Sequence, residues 1–170
     1  MNVIPPQRPC RRLVRGAGIL AVLALTALSC APIPKGSPDL AARALRFSPD
    51  PGRAAVYVVR PAQITGGLAP LPVFLDHAKL GAIMPKAFLY AEVLPREHIL
   101  ELAEFHAANS TSTTFKAEAG QCYFYEARVV LGGTRLTLLH AEEGRQRIGE
   151  STLSGDSAGQ PGPAPLIPVR

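Results

Sequence analysis

The chain has 170 residues, 47% of them apolar and 18% charged, which excludes a wholly disordered polypeptide. Its formal charge of +5 is no nucleic-acid footprint. Arg8, Arg11, Arg12 and Arg15 all precede the first acid, Asp39, and beyond residue 29 the balance is 14 basic against 13 acidic residues, a net of +1.

Residues 1–15 carry only positive charge, and residues 16–29 (GAGILAVLALTALS) are uncharged and mostly apolar. This 14-residue run is shorter than the roughly 20 residues that span a bilayer as a helix. A basic flank, a short apolar run and a small-residue end make a secretory signal over 1–29. An ordinary signal peptide and an uncleaved short anchor are alternatives. The favoured reading is lipoprotein processing, with cleavage between Ser29 and Cys30. Thr26-Ala27-Leu28-Ser29-Cys30 resembles a lipobox, with Ala27 where Leu is commonest. The Cys30 thiol would carry diacylglycerol, and two or more acyl chains make a lasting anchor. Ala31, rather than Asp, after the cysteine resembles the outer-membrane sorting signal of Gram-negative lipoproteins. Cys10 leaves with the signal and Cys30 is modified, so Cys122 remains as one thiol with no disulfide partner.

Residues 30–53 read as the lipidated cysteine, a Pro/Gly tether and a short helix. Ser37 is a candidate N-cap, Pro38 suits the first helical turn, and Leu40, Ala44 and Phe47 share one face. From residue 54 the hydrophobic period changes to two. Strands are expected at Ala54–Arg60, 72–76, 79–84, 87–94, 98–105, 113–119, 121–131 and 134–141, with a hairpin turn at Asp76-His77-Ala78 and a tight turn at Gly132-Gly133. Tyr123, Tyr125, Ala127, Val129 and Leu131 fall on one face of the longest strand, with Leu136 and Leu138 inward on its partner. Residues 142–148 form a short charged helical turn. About seven or eight short strands argue for an all-β fold, an antiparallel β-sandwich over 54–150 with a short N-terminal helix. Residues 151–170, with four prolines and three glycines, read as a disordered tail.

FSPDPGRAAVYVVRP, LPVFLDHAKLGAI, FLYAEVLPREHILEL, EAGQCYFYEARVV and RLTLLHAEEGRQRI occur in that order. Over roughly residues 41–148 this resembles a family of bacterial lipoproteins with domain of unknown function 2846. The middle part is similar to a PEGA-type β-sandwich repeat. The family pattern has Gly where this chain has His77 and Arg96. The resemblance implies a fold and an envelope location, and no catalytic residue.

His77, His98, His106 and His140 lack metal-ligand spacing, so no metal or other cofactor is expected. Asp76 with Glu92 or Glu101 reads as a turn aspartate and outward strand acids rather than a hydrolytic pair. Ser110–Thr114 is a polar turn. Cys122 sits in an aromatic strand as a small buried hydrophobe. Phe88 and Tyr90 share a face with Glu92 and form a candidate partner patch if that face is exposed. The expectation is a non-catalytic periplasmic sandwich at the outer membrane. Its partners would be the membrane, through the lipid, and an unidentified envelope protein; the oligomeric state stays open. The alternative is a ligand-binding or hydrolytic envelope lipoprotein using loops at one end of the sandwich.

Overall fold

The computed structural model describes residues 35–63, 69–103 and 110–155. In chain order these form helix α1 (Pro38–Ala44), strands β1 (Ala54–Arg60), β2 (Leu71–Leu75), β3 (Ala78–Ile83), β4 (Ala87–Val93), β5 (Glu97–Leu102), β6 (Thr111–Lys116), β7 (Cys122–Val130) and β8 (Gly133–Leu138), helix α2 (Ala141–Gly149) and the two-residue strand β9 (Thr152–Leu153). The expected β-sandwich is present. One sheet has the order β8-β7-β1-β4-β9 and the other β3-β2-β5-β6. The pairing is not antiparallel throughout, because β1 runs parallel to β7 and β4 parallel to β9. Parallel neighbours need a long crossover, and here the whole second sheet lies between β1 and β7 in sequence.

Two apolar clusters hold the layers together. The first lies between the sheets and includes Val56, Val58, Leu89, Val73, Leu100 and Tyr125. The second covers the opposite face of the five-stranded sheet, where Tyr57, Phe88, Tyr90 and Phe124 meet Ala44 and Phe47 on the α1 side and Ile148 of α2. The helices thus make a third layer. They explain why every residue of β1 and β4 is buried, including the polar ones. Strands covered on both faces carry near-continuous apolar runs instead of alternation. AAVYVVR and AFLYAEV are such runs.

Leu40, Ala44 and Phe47 pack inward as their spacing requires. The Phe47 ring lies 5.6 Å from Tyr57 and 6.0 Å from Phe124. Ser37 stands at the N-cap of α1 but makes no side-chain capping bond; Pro38 opens the helix as expected. Leu136 packs against the inter-sheet cluster, whereas Leu138, expected inward, is exposed on the edge strand β8. Leu131 is also exposed, one residue past the end of β7.

Residues 151–155, expected as the start of a disordered tail, are part of the fold. Thr152 and Leu153 pair with Ala87 and Phe88, Leu153 is buried, and the Ser154 hydroxyl donates to the Ala82 carbonyl of the other sheet at 2.8 Å. Residues 156–170 lie outside the described residues. Lys35 bridges Ser154, and the Gly36 N–H donates to the Leu153 carbonyl at 3.0 Å. A Cβ on Gly36 would stand 2.6 Å from Leu153 Cδ2, so a side chain there would block this close approach. At the opposite sheet edge, Thr111 Oγ1 donates to the Thr134 carbonyl at 2.7 Å, lacing β6 to β8.

Candidate functional site

Ser29, Cys30 and His106 lie outside the described residues. Phe88 and Tyr90 do not form a surface patch. Each is 1% exposed, because α1, α2 and β9 cover the face that the sequence reading left open. Tyr57 lies in the same layer, stacked on Phe124 at 4.9 Å, and its hydroxyl donates to the Ala44 carbonyl at 2.7 Å. Burial pushes the Tyr57 and Tyr90 hydroxyls well above the ordinary phenol value, and that of Tyr125 up to about 12.

Glu92 does not face outward. It is buried under α1, where it accepts the Tyr90 hydroxyl at 2.5 Å and Arg43 Nε and Nη2 at 3.1 and 2.8 Å. Arg43 also pairs with Asp50. Burial opposes the charge of Glu92, but Tyr90, Arg43 and the Asp50 N–H outweigh it and hold the carboxyl below its ordinary range. Cys122 is half-buried, with its thiol 3.3 Å from the Phe47 carbonyl, and burial raises its pKa. A protonated thiol is a poor nucleophile.

Asp76 is the turn residue expected, and it does more than turn the chain. Asp76 and His77 have φ of 51° and 64°, the left-handed pair of a tight hairpin. The Asp76 carboxylate accepts Arg96 Nη2 at 2.7 Å, His98 Nδ1 at 2.8 Å and the Ile99 N–H at 3.1 Å. These contacts outweigh burial and hold its carboxyl below the ordinary value. His98 is 3% exposed; its Nε2 lies 2.8 Å from the Leu94 carbonyl, and its ring stacks on Phe115 at 5.7 Å. Both ring nitrogens are engaged, so this His–Asp pair pins the β2–β3 hairpin to β5. Exposed His77 meets Glu101 at 2.8 Å, and exposed His140 stands at the N-cap of α2. Among the described residues no group of three or more His, Cys, Asp or Glu has a metal-site arrangement.

A concave feature lies elsewhere. A cleft of about 450 Å³ opens where β1 ends beside the C-terminal half of α2. Val59, Pro61 and Ala62 supply apolar lining. Lys86, Glu143, Arg147 and Glu150 supply charge, with Gln146 and Ser151 beside them. Arg147 is committed to Glu143 and to buried Glu126, which also pairs with Arg128. Neither His98 nor His140 lines this cleft. Sequence reasoning missed Lys86. The usable signal was Pro85 between two strands, which marks a turn whose next residue takes positive φ.

These features define a small three-layer domain, a β-sandwich backed by two helices, with buried charge networks and a polar cleft beside α2. The chain belongs to the family described as "Protein of unknown function (DUF2846)", whose model matches residues 50–138. No curated protein matches it in sequence.

Proposed function

We propose that the chain is a non-catalytic, lipid-anchored domain of the bacterial cell envelope, held by Cys30 on the periplasmic face of the outer membrane and binding an envelope component. The observation that carries this reading is Thr26-Ala27-Leu28-Ser29-Cys30 at the end of the apolar run; the fastening of Lys35 and Gly36 to β9 sets the tether's length. Five residue steps separate Cys30 from Lys35, a reach of at most about 17 Å when extended. An acylated Cys30 would therefore hold the folded domain against the bilayer surface rather than on a long stalk.

The non-catalytic half of the reading is supported by the site chemistry. The His98–Asp76 pair is spent on a backbone carbonyl, an arginine and a β5 N–H. The Cys122 thiol is held protonated by burial. The cleft, lined by charged and amide groups, suits the ligand-binding form of the alternative.

Metabolic labelling with a fatty-acid probe tests the anchor. The unaltered protein should take label and fractionate with the outer membrane. Cys30→Ala should abolish the label, and Ala31→Asp should move the labelled protein to the inner membrane. An unlabelled wild-type protein free in the periplasm would end this reading.

A further inference from the structure

We propose that the cleft beside α2 binds the zwitterionic headgroup of an aminophospholipid, with the phosphate on Lys86 and the ammonium on Glu150. Lys86 carries the argument. It follows Pro85 in a turn closed by the Ala87 N–H to the Met84 carbonyl at 3.2 Å, and it has φ of 61°. That backbone position favours glycine or asparagine, and a lysine there is strained. The strain is held in place from both sides. The Lys86 N–H donates to Arg60 at 2.9 Å, and its carbonyl accepts the Thr152 N–H at 3.0 Å. Strained residues fixed in this way concentrate at functional sites. The Lys86 side chain lines the cleft, and its ammonium has no partner among the described residues.

The charges select the ligand. Arg147 is neutralised by Glu126 and Glu143, so Lys86 is the cation left for a ligand among the described lining residues. Glu150 accepts one bond from Gln146 at 3.1 Å and keeps a second carboxylate oxygen. With Glu143 spent on Arg147, an anion alone would meet Glu150, and a cation alone would meet Lys86. A molecule carrying both charges satisfies the two ends. The volume of about 450 Å³ lies within the roughly 300–1,000 Å³ of small-ligand sites.

The choice of a lipid rests on the anchor reading of Cys30. Ala87, next to Lys86, pairs with Thr152 of β9, and the residues beside that pair hold Lys35 and Gly36. Lys86 and the tether are thus about two strand spacings apart across the sheet and about three residues apart along it, on the order of 14 Å. With five residues to Cys30, a bilayer headgroup is within reach.

Full-length protein purified in detergent is titrated calorimetrically with O-phosphoethanolamine, inorganic phosphate, ethanolamine and alanylalanine. O-phosphoethanolamine should saturate near about 1 mM, a fragment-like affinity, and at least tenfold more tightly than the other three. Lys86→Gly and Lys86→Asn should each weaken it at least tenfold while leaving the melting temperature unchanged or higher, because both residues suit the turn. Glu150→Gln should reduce O-phosphoethanolamine affinity to that of inorganic phosphate. Equal binding of phosphate, or unchanged binding in the Lys86 variants, overturns the proposal. Tighter binding of alanylalanine overturns the lipid assignment in favour of a peptide end. Fatty-acid label on Cys30 with no saturable headgroup binding sinks the cleft and spares the anchor; binding without label does the reverse.

Discussion

Arg43 and Glu92 fasten helix to sheet. Nε and Nη2 of Arg43, on the last turn of α1, both donate to the carboxylate of Glu92 on β4, at 3.1 and 2.8 Å. The carboxylate is 1% exposed and the guanidinium about one-third exposed. The pair therefore sits at the rim of the helical layer, with the acid inside and the base reaching down to it. Tyr90 supplies a third donor from the same strand.

Arg43→Met keeps most of the apolar stem and removes the charge. Glu92 is then left buried with Tyr90 and a backbone N–H. Loss of one partner of a fully buried pair costs about 3–5 kcal/mol, and an exposed pair contributes about 0–1. The half-covered geometry here places the expected loss at about 2 kcal/mol, measured by urea denaturation. Glu92→Gln in the same background should recover part of it, because the stranded charge is gone. No recovery would mean that Arg43 acts through packing alone.

Acid should unfold the domain through two named carboxylates. Asp76 and Glu92 are held below their ordinary values of 3.8 and 4.5 in the folded state. A carboxyl with a depressed folded pKa stabilises fully above its unfolded pKa, and that stability is lost as pH falls through the folded value. Melting temperature should be nearly flat with respect to these groups from pH 8 to 6 and fall below about pH 4.5. The double variant Asp76→Asn, Glu92→Gln should be less stable at pH 7 and show a shallower decline in acid. An equally steep decline would assign the acid sensitivity to other groups.

Residues 151–155 belong to the fold, so their removal should not be neutral. Leu153 is 3% exposed in the helix-side cluster and joins β4 to the strap at Gly36. Leu153→Ala should cost about 2–4 kcal/mol, in the range for a buried leucine truncated to alanine. A chain ending at Glu150 should melt at a clearly lower temperature than one ending at Gly155. Coincident melts would return the segment to the status of a dispensable tail.

The strands were legible because alternation and turn residues agree locally. Ala54–Arg60 coincides in the two readings, and the other boundaries differ by a few residues. What the period could not convey was the third layer. In β4, Phe88, Tyr90 and Glu92 alternate with Leu89, Ala91 and Val93, and a period of two separates the faces without saying which is covered. The run AFLYAEV contained the answer in being nearly continuously apolar, with Glu92 as its one polar residue. β9 escaped because two residues among Ser, Gly and Pro carry no periodic signal. The cleft escaped because Lys86, Glu143 and Glu150 come from a turn and a distant helix.

Gly144 should be intolerant of alanine despite lying in a helix. A Cβ there would stand 2.3 Å from Phe124 Cγ, so α2 rests directly on the phenyl ring. Alanine gains about 1 kcal/mol of helix propensity over glycine, but overpacking costs typically 1–3 kcal/mol. The expected net result for Gly144→Ala is a loss of up to about 2 kcal/mol by denaturant titration. In the background of Phe124→Leu, which clears the contact, the same change should be neutral or stabilising. Additive effects of the two changes would show that the helix moves away from the sheet freely.

Asp76 and His77 share a left-handed backbone, yet glycine should act on them in opposite directions. At His77, φ of 64° strains a residue whose side chain is 71% exposed, and its contact to Glu101 lies in solvent. His77→Gly removes about 1 kcal/mol of backbone strain and an exposed contact worth less than that, so a gain of about 0.5 kcal/mol is expected. At Asp76, φ of 51° is equally strained, but the carboxylate holds Arg96, His98 and the Ile99 N–H. Asp76→Gly relieves the backbone and leaves the buried His98 Nδ1 and a β5 N–H without their acceptor. Each unsatisfied buried donor costs about 1–3 kcal/mol, which exceeds the relief. The expected net loss is about 2 kcal/mol, accompanied by weakened amide-exchange protection at Ile99 and its neighbours on β5. Urea titrations of the two single variants decide the matter. Stabilisation by both would reduce the turn to backbone strain alone and deny the Asp76–His98 pair its role as the pin. Destabilisation by His77→Gly would show instead that the His77–Glu101 contact outweighs the strain of the turn.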